Sequence, residues 1–297
     1  MKNQPKAFVL FLLFYSSVFA QQKLENNNLK PIYVGFSISL FNDVDIRDAE
    51  AAIKMWGNEL LKNMNSTITP ETSIFETSDE LISAINNNKV DLVAIPTLDF
   101  LAIRNKVKLE PHLITSINGK HGYDFIVVVK KDKNFHKIED LKNKIINLPA
   151  KTSGRLAKMW LTVFLNDKGI KIDKFFKEMR EFEKPSQALL PVFFNQADVC
   201  VIPSMSYNTM LELNPQLKKE LVVIETSPIL VNGLMCINKL IEPDLRKSLL
   251  IAASKLGKTP SGKQILNLFK SEDVIVFEEK YLKEIEILTE KFNKIKK

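Results

Sequence analysis

The feature that most limits what this chain can fold into is a strand–helix alternation that runs once and then begins again. Near one third of the way along, "VDLVAIP" (90–96) is an aspartate followed by four apolar residues and a proline, with a helical run next. Two thirds along, "ADVCVIP" (197–203) repeats that arrangement. Between and around them the pattern keeps switching period. "IYVGFSI" (32–38) is rich in β-branched and aromatic residues and reads as a strand. After Asp43, the residues Ile46, Ala49, Ile53, Trp56, Leu60 and Met64 recur at helical spacing. "TSIFET" (72–77) is a second strand, and Thr77 with Glu80 has the spacing of a capping box. "FIVVV" (125–129) and "KIINL" (144–148) are strands; the run from Leu156 through Phe164 is a helix that stops near Gly169. A strand at 178–182, a helix from Pro185 and "NGLMCIN" (232–238) as a returning buried strand follow. The last helix spans Glu278 to Lys297, with Tyr281, Ile285, Leu288 and Phe292 as its apolar stripe. Strands alternating with helices imply mostly parallel sheets covered by helices on both faces. The restart implies two similar α/β lobes, joined by strand-like crossings near 122–124 and 226–231.

The beginning of the chain sets a compartment. Lys2 and Lys6 precede an apolar run from Ala7 to Phe14, and small residues lead to Val18-Phe19-Ala20. This is the layout of a signal peptide over residues 1–20, cleaved after Ala20. Its removal would take 20 of the 297 residues and leave 277, a length at which single cores give way to two domains. A soluble, exported protein is expected. Loss of Lys2 and Lys6 lowers the net charge from +7 to +5, with lysines scattered rather than clustered, which argues against nucleic acid as a partner. Cys200 and Cys236 both lie in apolar strand-like runs. Export permits a disulfide between them, but the expected topology puts them in separate lobes as free thiols.

Enzymatic signatures are missing: the sequence holds no G-x-S-x-G, no P-loop and no H-E-x-x-H. The histidines His112, His121 and His136 are dispersed. The balance moves to a binding protein without cofactor or metal rather than an enzyme. The stretch that invites a ligand is "LPAKTSGRL" (148–156), where Thr152, Ser153, Gly154 and Arg155 stand at the mouth of a helix. A helix N-terminus presents unpaired N–H groups and partial positive charge, so it can hold an anion; the plainer alternative is that Ser153 or Thr152 caps the helix.

The segment "GYDFIVVVKKDKNFHKIEDLKNKIINLPAKTSGRL" (122–156) resembles the middle of type II periplasmic substrate-binding proteins, in the phosphate/phosphite/phosphonate branch. The matching pieces are Tyr123, "FIVVVKKD", Asp140-Leu141-Lys142-Asn143-Lys144 and Thr152-Ser153-Gly154, with "ALLPVFFNQADVCVIP" (188–203) further on. Asn143 stands where that family usually has glycine, Gln196 where glycine often precedes Ala-Asp, and Asp124 where a small residue is common. The resemblance implies a two-lobed periplasmic-binding-protein type II fold, with residues 21–122 plus 228–297 as lobe 1 and 123–227 as lobe 2. It also implies a monomer with a cleft between the lobes that captures a small anionic ligand. The partner would be the membrane permease of an ABC transporter or, alternatively, a sensor kinase. Ligands of α/β sheets sit beyond the carboxyl ends of strands. That rule nominates Ser39, Phe41 and Thr97 in lobe 1, Tyr123 and Asp124 at the first crossing, and Thr152, Ser153, Gly154 and Arg155 at the helix mouth. Ser204, Tyr207 and Glu225 complete the set.

Overall fold

The computed structural model describes residues 31–296 apart from 42–44, 67–68, 118 and 270; the expected signal peptide and the helix start expected at Asp43 lie outside the described residues. Its first stretch runs β1 (Tyr33–Ser37), α1 (Ile46–Asn63), β2 (Glu71–Phe75), α2 (Ser78–Asn86), β3 (Leu92–Pro96), α3 (Thr97–Ile103) and β4 (Leu109–Ser116). The chain then crosses into β5 (Phe125–Lys130), β6 (Ile145–Pro149), α4 (Lys151–Asp167), β7 (Glu178–Phe182) and α5 (Pro185–Phe193). β8 (Val199–Pro203), α6 (Ser204–Leu213), α7 (Pro215–Glu220) and β9 (Leu221–Thr226) follow. It returns as β10 (Gly233–Asn238), α8 (Pro243–Ser254), α9 (Pro260–Leu268), β11 (Asp273–Val276) and α10 (Lys283–Ile295).

Two sheets result. One has the order β11-β4-β10-β3-β1-β2, the other β7-β6-β8-β5-β9. In the first, β1 pairs in parallel with β2 and β3, while β10 is antiparallel to β3 and β4. In the second, β6 is parallel to β7 and β8, and β5 is antiparallel to β8 and β9. The echoing segments occupy equivalent places: each aspartate holds the amide that starts a neighbouring strand, Asp91 that of Tyr33 and Asp198 that of Ile145, both at 2.9 Å. The two crossings lie side by side, joined by an antiparallel bridge in which Tyr123 and Leu230 exchange backbone bonds of 2.9 and 2.8 Å. Gly122 is required there, because a Cβ would stand 2.4 Å from the carbonyl oxygen of Leu230.

Local chemistry accounts for the helix ends. Thr77 and Glu80 form the expected capping box of α2, with bonds of 3.2 and 3.3 Å. Asp45 caps α1 by accepting from the amide of Arg47. Asn143 adopts φ +59°, which explains the glycine expected there: asparagine is the side chain that best tolerates the left-handed region. Beside Gln196, the left-handed residue is Asn195, at φ +59°.

Three buried clusters hold the elements. One packs α1, α8 and α9 on the outer face of the first sheet, and another packs α5, α6 and α7 on the outer face of the second. The third is continuous across both sheets, from Leu81, Val93 and Phe100 to Val127, Leu148 and Trp160. The C-terminal helix departs from the lobe 1 grouping expected for residues 228–297. α10 leaves the first sheet and packs on α4, placing Leu282, Ile285 and Leu288 in the shared cluster. The amphipathic stripe was legible, but nothing in it specifies which of two sheets it covers. Cys200 on β8 and Cys236 on β10 are free and fully buried, and burial pushes both thiols far up. Among the described residues no helix is long and apolar enough to cross a membrane.

Candidate functional site

Where a strand of each sheet ends, a helix begins with no turn between them, so the first residues of α3, α4 and α6 stand at the strand edges. α4 starts two residues earlier than the capping alternative requires. Its N-cap is Ala150, which has no polar side chain, and Lys151 follows with φ +58°. Ser153 therefore sits inside the first turn and donates its hydroxyl to the carbonyl of Ala150 over a long 3.4 Å. Gly154 has a packing reason: a Cβ would lie 2.2 Å from the carbonyl oxygen of Pro149. The first turn of α4 contains no acidic residue. It carries Lys151, paired with Glu183 at 3.1 Å, and is followed by Arg155, paired with Asp99 at 2.9 Å. Acidic side chains normally gather at a helix's positive end, as Asp79 and Glu80 do on α2; α4 reverses that preference.

On the opposite side, Thr97 is the first residue of α3. It is 1% exposed, and its hydroxyl has no hydrogen-bond partner among the described residues. Its amide donates to the carbonyl of Asn232 at 3.0 Å. The Asn232 side chain in turn bonds the phenol of Tyr123; burial raises the Tyr123 pKa above its ordinary value, with the Asn232 bond opposing. Thr97 and Tyr123, nominated separately, are thus tied together by a residue that sequence reasoning missed. Its only signal was the turn-forming Asn-Gly pair at 232–233.

Tyr123, Asp124 and Ser204 line a cavity of about 410 Å³ together with Lys120, Asn208 and Thr209. Ser204 donates its hydroxyl to Asp124 at 2.6 Å, and the Lys120 ammonium donates to both oxygens of Asp124 at 3.1 and 3.2 Å. Burial works to raise the Asp124 carboxyl, but the bonds from Ser204 and Lys120 outweigh it and hold it below the usual range. Asp124 is therefore an anion already satisfied from within the chain.

The remaining nominees divide. Ser39 lies half-buried in the single 3-10 turn after β1, and Glu225 is half-buried on β9 opposite Val127. Two belong to the packing. Phe41 is 5% exposed, its ring 6.0 Å from Phe36 and 5.9 Å from Phe269 in the aromatic cluster under α1. Tyr207 is 7% exposed in the core beneath α6. Both positions follow strand ends in sequence, but the turn that comes next rotates them inward. Asp99 and Lys120, in contrast, were not nominated, because their partners Arg155 and Asp124 are met only in the fold.

None of the curated proteins matches this chain in sequence. Solved structures do match in fold. A protein of Prochlorococcus marinus in complex with methylphosphonate aligns over 90% of this chain and 100% of its own, at 22% identity and a TM-score of 0.61. A Xanthomonas citri protein bound to ATP aligns over 90% and 98%, at 14% identity and 0.64. A binding-protein component of an ABC phosphonate transporter from Pseudomonas aeruginosa aligns over 88% and 86%, at 16% identity and 0.57. The family model described as "ABC transporter, phosphonate, periplasmic substrate-binding protein" matches residues 41–281, which is most of the chain. The chain belongs to the phosphonate family of periplasmic substrate-binding proteins of ABC transporters.

Proposed function

We propose that this protein captures a small phosphonate-like oxyanion between its two lobes and delivers it to the permease of an ABC importer. The observation that carries this reading is the mouth of α4. A 17-residue helix begins with no side-chain cap on its N-cap residue, no acid in its first turn, and basic residues at 151 and 155. Such a terminus favours negative charge, and an oxyanion accepting from its first-turn N–H groups supplies what the sequence withholds. The methylphosphonate bound to the Prochlorococcus marinus protein is the same class of ligand.

In this reading Ser153 offers a donor to the anion, as is expected of Thr152, whose side chain lies outside the described residues, and Gly154 lets the helix start close against β6. Thr97 contributes its unpartnered hydroxyl from the facing lobe. Ser39, Tyr123, Asp124, Ser204 and Glu225 shape the remainder of the cleft. The lobes exchange at the paired crossings, near 122–124 and 226–231. The working form is a periplasmic monomer released by cleavage after Ala20.

A thermal-shift series with methylphosphonate, phosphite, phosphate and sulfate tests the reading. At a hundredfold excess over its dissociation constant, a true ligand adds about 2.7 kcal/mol to stability. Methylphosphonate or a close oxyanion is expected to raise the melting temperature in a concentration-dependent way. No response to any of the four would sink the proposal.

A further inference from the structure

We infer that Asp99 and Arg155 form a latch between the lobes, so that Arg155 acts on ligand capture as a positioning residue through Asp99 and not as a contact to the ligand. The inference deepens the reading of the α4 mouth and rests on it for its bearing on transport. The latch itself stands on geometry alone.

Asp99 lies in the first turn of α3, which continues β3 of the first sheet; Arg155 lies on α4, which continues β6 of the second. Their ion pair at 2.9 Å therefore joins elements that belong to different sheets. The partners are unequal. Asp99 is 16% exposed at its side chain, Arg155 53%. Asp99 sits favourably in the first turn of its helix, and Arg155 stands one turn into its own. The pair can form only while the lobes are together, so it favours the closed arrangement.

A second tie runs parallel to the first. Arg104, at the C-terminal end of α3, pairs with Glu286 of α10, and α10 is fixed to α4 by Lys291 with Asp167 at 2.6 Å. α3 is thus held at both ends to the α4–α10 layer. The Arg104 pair is well exposed on both sides, and such pairs are weak and screened by salt. The half-buried Asp99 pair is the stronger of the two.

A partly exposed pair of this kind shifts a closed-to-open ratio roughly two- to fivefold, and replacing attraction by repulsion at the same spot shifts it about tenfold. The test compares wild type, Asp99→Asn, Asp99→Arg, Arg155→Asp and the double charge swap. Without ligand, the distance between spin labels on Lys54→Cys and Lys219→Cys is measured by pulsed electron resonance; both sites are exposed, and the buried native thiols stay unlabelled. With ligand, the dissociation rate of methylphosphonate is measured. Each single reversal is expected to lengthen the interlobe distance and speed dissociation about tenfold. Asp99→Asn should do so two- to fivefold, and the double swap should restore both readouts. Unchanged distances in the reversals, or a double swap that fails to restore them, would overturn the latch. If wild type binds none of methylphosphonate, phosphite, phosphate and sulfate the transport reading falls, while the ligand-free distances still decide the latch.

Discussion

Ser153 and Gly154 are neighbours with opposite expected behaviour. The Ser153 hydroxyl makes one long bond of 3.4 Å to its own helix turn, so Ser153→Ala should change unliganded stability by no more than about 0.5 kcal/mol. If the hydroxyl serves an anion, the same substitution should weaken methylphosphonate binding roughly ten- to a hundredfold, which calorimetric titration would register. Gly154→Ala in an ordinary helix would stabilise; here the new Cβ meets the Pro149 carbonyl at 2.2 Å, and a loss of about 1–3 kcal/mol is expected by urea unfolding. Asp124 gives a pH signature. Its folded pKa lies below the unfolded one, so its ionised form contributes stability above roughly pH 4 that disappears as pH falls through the folded value. Asp124→Asn should flatten this acid limb, and an unchanged limb would show that Ser204 and Lys120 do not hold the carboxylate. At this scale the sequence was readable where a residue's role is local: Thr77 and Glu80 make their box. It was not readable where the role depends on a distant partner, as with Asn232 joining Thr97 to Tyr123, or Phe41 turning to meet Phe269.

Among the elements, strong periods were visible and weak ones were not. The long apolar runs of β3, β5, β8 and β10 were all identified from composition. β4 was overlooked because Pro111 and His112 interrupt it. The proline cannot donate to a ladder, and the pairing with β10 shifts register where Pro111 faces Cys236. β11 is only four residues long. The placement of α10 depends on surfaces more than a hundred residues away, which no local pattern encodes. That placement is consequential. Ile285 is fully buried between α10 and the shared cluster, and Ile285→Ala should cost about 2–5 kcal/mol in chemical denaturation. A cost under 1 kcal/mol would mean that α10 is a loosely held appendage.

Two lobes usually raise the prospect of two unfolding steps. The buried cluster that runs from Leu81 to Trp160 and Leu288 argues for one. The chain's two tryptophans report on this directly, since Trp56 lies 3% exposed in the outer core of the first lobe and Trp160 5% exposed in the second. Trp56→Phe and Trp160→Phe variants, each with a single fluorophore, should show urea transitions at the same midpoint once corrected for their own stabilities. Separate midpoints would divide the molecule energetically where the cluster joins it. The restarted alternation announced this architecture, because buried strands write their character in consecutive residues. The interleaving of β10 carries one more consequence, for the order of synthesis. Every strand of the second sheet lies within residues 125–226, but the first sheet has β3 and β4 separated by a strand that begins only at Gly233. A nascent chain cut short before Gly233 would hold the second sheet complete and the first with an empty slot at its centre. The lobe that is translated first is the lobe that is finished last.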